Sequence, residues 1–138
     1  MTNSSLNEDK HRPLSGLRVV DLSNGADGAI GRMLTDLGAD LILVEPADGA
    51  TARRTGRIVD GQSIEFALTA FGKRSIAADI SSDKGRSEIA GLIANADMVI
   101  AGSAAREHFD VKALIDTYPT LVILSVTDFG VDNSLSDW

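Results

Sequence analysis

GLRVVDLSNGADGAIGRMLTDLGADLILVEPADG, running from Gly16 to Gly49, is the stretch whose reading decides the fold. It opens on a short apolar run, Leu17 to Leu22, with Asp21 near its end. A glycine-rich turn follows, Asn24-Gly25-Ala26-Asp27-Gly28. From Ala29 to Leu37, Ile30, Met33, Leu34 and Leu37 recur at three- and four-residue spacing, which predicts a helix with one apolar face. Gly38 is placed to end it, because glycine takes the left-handed conformation of a helix terminus without steric cost. A second apolar run, Leu41 to Val44, ends at Glu45-Pro46. Strand, turn, helix, strand is a βαβ unit. The crossover helix returns the chain to the end of the sheet where it started, so the two strands should run parallel.

Upstream, Leu14-Ser15-Gly16 leads into the first strand, and the polar segment Met1 to Pro13 is predicted to be a disordered lead-in. It lacks the apolar middle of a secretion signal. Downstream, Ala47 to Gly61 carries Arg53, Arg54 and Arg57 and is predicted as a long loop with at most a helical turn, a type that is functional or mobile in compact domains. Ser63 to Phe71 has a weak helical pattern, and Gly72-Lys73-Arg74 is a basic turn. Ser75 to Ile80 is the third predicted strand. Ser81-Ser82-Asp83 caps a helix over Lys84 to Ala94 whose apolar face holds Ile89, Leu92 and Ile93. Asp97 to Ala101 is strand four. Asp110 caps a further helix, Val111 to Thr117, stopped by Pro119, and Leu121 to Val126 is strand five. The alternation predicts one α/β domain over residues 14–138, Rossmann-like and doubly wound, with a mainly parallel sheet of about five strands. Strand one should be central, flanked by strands two and four or their neighbours. Strands two to five read as apolar on both faces, as in a sheet covered on two sides.

Bulk composition narrows the function classes. A chain of 138 residues suits one domain with a core of its own. The formal net charge of −7 argues against a general nucleic-acid binder. No apolar stretch approaches the ~18 residues of a membrane span. With no cysteine, disulfides, zinc–thiolate sites and thiol nucleophiles are excluded, which fits a reducing cytoplasm. His11 and His108 have no partners at metal-binding spacing, so no metal is expected. Asp128-Phe129-Gly130 matches a kinase tripeptide but has none of its companion motifs.

The chemistry-bearing signals lie at turns. Gly25-x-x-Gly28-x-x-Gly31 lacks the G-x-G-x-x-G spacing of a dinucleotide fingerprint, although Glu45 stands about twenty residues on, where a ribose-binding acid would be. Ligands of open α/β sheets bind at the carboxyl ends of the strands, so a ligand here should touch Ser23 to Gly28. Lys73-Arg74 in a glycine turn could hold phosphate; the plainer alternative is solvated surface charge.

Together the blocks PLSGLRVVDLS (13–23), LGADLILVEP (37–46), FGKRSIAADI (71–80), SDKGRSEIAGLIANADMVI (82–100) and LVILSVTDFG (121–130) resemble the start of the family III CoA-transferases, which include the formyl-CoA and succinyl-CoA-type transferases and the α-methylacyl-CoA racemases. The resemblance implies a CoA-binding Rossmann-type domain, CoA or acyl-CoA as substrate, no metal, and an interlocked homodimer or association with a further part of the chain. It implies that Gly72 and Lys73 lie at the CoA nucleotide and that the turn around Ala26 and Gly28 lines the pantetheine path. Family transferases use a carboxylate nucleophile, which forms an anhydride and then a CoA thioester. By resemblance that aspartate falls beyond the position matching Trp138, so no catalytic residue is assigned. The sequence departs from the family pattern at two places: Ala26-Asp27-Gly28-Ala29 stands where an Ala-Gly-Pro turn is expected, and Ala101 to Arg106 replaces a Glu-Asn-Phe-x-Pro-Gly loop. A binding or regulatory module that kept the fold and lost the ligand is the alternative these changes raise; a small nucleotide-binding oxidoreductase, resting on Glu45, is a second, and a racemase segment a third.

Overall fold

The computed structural model describes residues 12–24, 28–127 and Gly130. The predicted lead-in lies outside these apart from Arg12 and Pro13, and so do Ala26 and the tail beyond Gly130.

The first βαβ unit forms as the sequence predicts. Strand β1 is Arg18–Asp21, helix α1 is Gly28–Asp36 and strand β2 is Asp40–Glu45. The two strands run parallel, with Arg18 opposite Asp40 and Asp21 opposite Leu43. The long connection that follows is more ordered than its composition suggests. It holds a 3-10 turn, Thr51–Arg54, and a small antiparallel hairpin of β3 (Ile58–Val59) and β4 (Gln62–Ser63). Helix α2, Ile64–Ala70, starts where the Ser63 hydroxyl accepts the Phe66 amide at 3.1 Å, which satisfies one orphan donor of the first turn.

Strand β5 (Arg74–Ala77), helix α3 (Asp83–Ile93), strand β6 (Met98–Ala101), helices α4 (Ser103–His108) and α5 (Val111–Thr117), and strand β7 (Val122–Ser125) complete the order. Ser82 caps α3 and Asp110 caps α5, each as predicted. The main sheet is five-stranded and parallel, in the order β5-β2-β1-β6-β7. β1 is central, between β2 and β6, which are the second and fourth strands expected from sequence.

The period of two along the strands builds two cores. Val19, Leu41, Leu43 and Ile100 face one way and pack with Ile30 and Leu34 of α1 and Phe66 of α2. Val20, Leu22, Val44 and Val99 face the other way and meet Ile89 and Ile93 of α3. Each of these side chains contributes about 1.5–3 kcal/mol when fully buried, so the three inner strands anchor the domain. Two expectations are corrected. The outer strands β5 and β7 are covered only in part: none of their residues is fully buried, and Val122 is 58% exposed. Met33 and Leu37 do not join Ile30 and Leu34 in the core. The face of α1 turned inward beside them is Gly28, Gly31 and Thr35, and Met33 remains outside with Leu37, Leu68 and Phe71.

Candidate functional site

The order of the strands creates a crevice before any side chain is considered. From β1 the chain leaves toward β2, and from β6 it leaves toward β7, so the two connections diverge at the carboxyl edge between them. Such a switch point is where open α/β sheets bind ligands. Leu22 follows β1 and is tied to its neighbour by its amide, which donates to the Ile100 carbonyl at 2.8 Å.

On the β2 and β5 side of this edge lies a cleft enclosing about 60 Å³, walled by Leu22, Val44, Pro46, Ala78 and Ile80. Asn24, Glu45 and Asp79 supply its polar atoms. The Asn24 Oδ1 is buried with no hydrogen-bond partner among the described residues. The same holds for Ser23 Oγ, Arg106 Nε and Ser125 Oγ. All four belong to segments at or just after the carboxyl ends of β1, β6 and β7. Buried polar atoms are almost always paired, so four unpaired ones on one edge mark a place where a ligand can supply the partners.

The Asp79 carboxylate is held below its ordinary range. The Ser81 hydroxyl and then the Ser81 amide donate to it, and the charges of Arg86 and His108 add to the effect. It therefore stays ionised at the mouth of the cleft at neutral pH. His108 is exposed at the end of α4, near enough to Asp79 to favour its carboxylate.

Glu45 reaches the cleft from β2, but its oxygens are occupied. Arg53 donates from Nε to Oε2 at 2.5 Å and from Nη2 to Oε1 at 2.7 Å; the Ala50 amide donates to Oε2 at 2.9 Å, and the Ser75 hydroxyl donates to Oε1. The Arg53 hydrogen bonds, more than any other contact, lower the Glu45 pKa to about 2. The guanidinium also lies over the Phe66 ring, 4.3 Å from its centroid. A carboxylate so engaged has little capacity left for a ribose. This removes the observation behind the oxidoreductase alternative, and it accounts for two of the three arginines of the long loop: Arg53 closes Glu45 and Arg54 pairs with Asp48.

The turn before β5 also differs from a simple phosphate grip. Gly72 adopts φ +80°, a conformation glycine takes freely, and the chain then turns so that Lys73 points inward and Arg74 outward to Asp40. The Lys73 ammonium donates to Asp21 Oδ2 at 3.0 Å and to the Gly28 carbonyl at 3.0 Å, and its side chain is 2% exposed. Gly28 and Gly31 are needed for packing: a Cβ on Gly28 would lie 2.8 Å from Thr69 Cβ, and one on Gly31 would lie 2.6 Å from the Lys73 ammonium. Of the residues singled out from sequence, Gly28 and Lys73 thus meet at Asp21, Gly72 lies against Thr35, and Ala26 lies outside the described residues. Sequence reasoning missed Arg106 and Asp79, whereas Asn24 falls within the Ser23 to Gly28 turn that it expected to touch a ligand. The signal for Arg106 was present, a cation in the connection after β6, but six residues of α4 gave no period from which to orient it.

The central parallel sheet and the diverging connections define a Rossmann-type α/β domain with a candidate cleft at its carboxyl edge. The chain belongs to CoA-transferase family III, whose model matches residues 14–138. It is 36% identical over 128 residues to a probable CoA-transferase of Mycobacterium tuberculosis, covering 87% of this chain and 16% of that protein. It is 35% identical over 139 residues to a succinate–glutarate CoA-transferase of Agrobacterium fabrum, covering 91% of this chain and 35% of that one. Among solved structures, a CAIB/BAIF family protein from Brucella suis superposes with a TM-score of 0.77 at 36% identity, over 88% of this chain and 35% of the other. The chain thus spans about a third or less of the length of these relatives.

Proposed function

We propose that these residues form the nucleotide-holding domain of a CoA-transferase and bind CoA or its acyl thioesters at the carboxyl edge of the sheet. The observation that carries this is Arg106, whose buried Nε has no partner among the described residues. Burying part of a guanidinium without an acceptor is costly, and an anionic ligand offsets that cost. CoA combines a flat base with several phosphates. The apolar cleft suits the base, and the free Asn24 Oδ1 suits an amino group on it. Ionised Asp79 suits ribose hydroxyls and repels phosphate, leaving the phosphates to Arg106. Gly28, Gly72 and Lys73 enter as the support of the turn that borders the cleft, and Ala26 enters as part of that turn.

Acyl transfer needs a nucleophile in addition to a binding site. The resemblance puts the family's carboxylate outside the matched residues, so the 138-residue chain should bind without transferring. Assembly belongs to the same reading. Exposed Met33, Leu37, Leu68 and Phe71 provide apolar surface of the kind that a homodimer, or a further part of the chain, covers.

Calorimetry with CoA tests the proposal. Arg106→Ala should weaken binding about tenfold to a hundredfold, since a charge-assisted hydrogen bond contributes ~1.5–3 kcal/mol and a decade is ~1.4 kcal/mol. Pantetheine, which lacks the nucleotide phosphates, should lose less. Equal CoA affinity of wild type and variant would remove Arg106 from the site. Undetectable binding by wild type would favour a domain that kept the fold and lost its ligand.

A further inference from the structure

The least exposed cation in the site points to a role other than ligand contact. We infer that Lys73 is a positioning residue: its ammonium holds Asp21 and the Gly28 carbonyl together and so fixes Leu22 to Asn24, which border the ligand cleft. For its ligand arm this rests on the CoA-binding reading above; its geometry stands independently.

Asp21 is the last residue of β1 and Gly28 the first of α1. One ammonium reaches both, at 3.0 Å from Asp21 Oδ2 and 3.0 Å from the Gly28 carbonyl. The other oxygen of Asp21 accepts the Ser23 amide at 3.0 Å, so the first residues of the turn hang from the same carboxylate. Leu22 and Asn24, on either side of Ser23, line the cleft. The clasp is closed. The two side chains are 2% and 0% exposed, and a methyl group on Gly31 would already collide with both the ammonium and Asp21 Oδ2. On that side there is no room for a phosphate.

Charge arithmetic supports the same assignment. A buried pair of this kind is often no more stabilising than a well-packed apolar pair of similar volume, so net stability alone does not account for it. An apolar side chain at position 73 could fill the space, but it could not hold a carbonyl and a carboxylate seven residues apart in the chain at fixed positions. Preorganising a binding loop raises affinity by removing the cost of ordering it on binding.

The test uses Lys73→Met, which keeps most of the volume and removes the ammonium. Amide exchange at Ser23 and Gly28 is measured relative to Val99 and Ile100 of the core, and CoA affinity is measured at low and high salt. The ratio of turn to core exchange should rise about tenfold, because only the turn is released. CoA affinity should fall about tenfold, with the slope of log Kd against log salt unchanged, since Lys73 touches no phosphate. A merely structural lysine would lower the melting temperature while leaving the exchange ratio and the Kd of the folded protein unchanged, and that result would overturn the inference. A shallower salt slope would overturn it too, by showing direct phosphate contact. If Lys73→Met does not fold, the double variant Asp21→Asn with Lys73→Met removes both charges, keeps an acceptor for the Ser23 amide, and gives the same readouts. If wild type binds no CoA, the ligand reading fails and the exchange ratio alone decides the clasp.

Discussion

Asp21 and Glu45 end adjacent parallel strands, and each is closed by one cation, yet the two pairs are built differently. The Asp21–Lys73 pair is sealed on both sides, whereas Glu45 is 4% exposed against an Arg53 that is 46% exposed. Lys73 offers a compact point charge that spreads its donors over a carboxylate and a carbonyl. Arg53 offers a planar fork that takes both Glu45 oxygens and rests on Phe66. The first pair joins three segments, the end of β1, the start of α1 and the turn before β5. The second fastens a loop onto the strand it has just left. Similar chemistry at equivalent strand ends therefore does two jobs, shaping a turn in one place and anchoring a loop in the other.

The comparison breaks most sharply if one partner of the sealed pair is removed. Asp21→Ala should destabilise the domain by ~3–5 kcal/mol, read from denaturant titration, because an ammonium is left buried without its carboxylate. A loss below ~1 kcal/mol would mean that water or a local shift resolves the charge, and the two pairs would then be alike.

Acid sharpens the other half. Folding lowers the Glu45 pKa from its usual 4.5 to about 2, so its contribution is fully present above pH 4.5 and is lost as pH falls toward 2. Allowing for the half-exposed arginine, the loss is of the order of 2–3 kcal/mol. Glu45→Gln should be less stable than wild type at pH 7, and the difference should close progressively below pH 4.5. A difference independent of pH would show that packing, rather than charge, fixes the loop.

The smallest effect is expected at the opposite end of the same strands, where Arg74 pairs with Asp40 with the two side chains 62% and 52% exposed. Arg74→Ala should change stability by less than ~1 kcal/mol and vanish into error at high salt. Adjacent in sequence, Lys73 and Arg74 would then differ severalfold in energetic weight.

Much of the fold was legible because β1, β2 and β6 alternate apolar residues toward two faces while α1 and α3 carry caps and helical spacing. The edges were less legible. β5 and β7 are apolar enough to read as buried strands, and only the strand order shows that each has an open side. Met33 misled because helical spacing gives a face but not its neighbour, and Gly31 and Thr35 occupy the inward position beside Ile30 and Leu34. At the site, Gly28 and Lys73 were singled out for different parts of a ligand, yet what joins them is Asp21, 52 residues before Lys73, which no local motif reveals. Glu45 looked like a ribose ligand because its partners, Arg53 and Ser75, lie on segments whose positions only the tertiary structure sets. Arg106 and Asp79 were passed over because each lies in a short connection without periodicity.

The span of the lysine clasp also bears on the order of folding. Closing the 52-residue separation between Asp21 and Lys73 costs ~1.7 kcal/mol more loop entropy than closing the 8 residues between Glu45 and Arg53. The arginine staple can therefore close as soon as its loop is made, but the clasp must wait until β5 has paired with β2. Asp21 and the Gly28 carbonyl are joined only after the strand order is correct, so a chain with β5 misplaced lacks this anchor at the carboxyl edge. In kinetic terms, Asp21→Asn should speed unfolding and leave the folding rate nearly unchanged, the pattern of a contact made after the rate-limiting barrier.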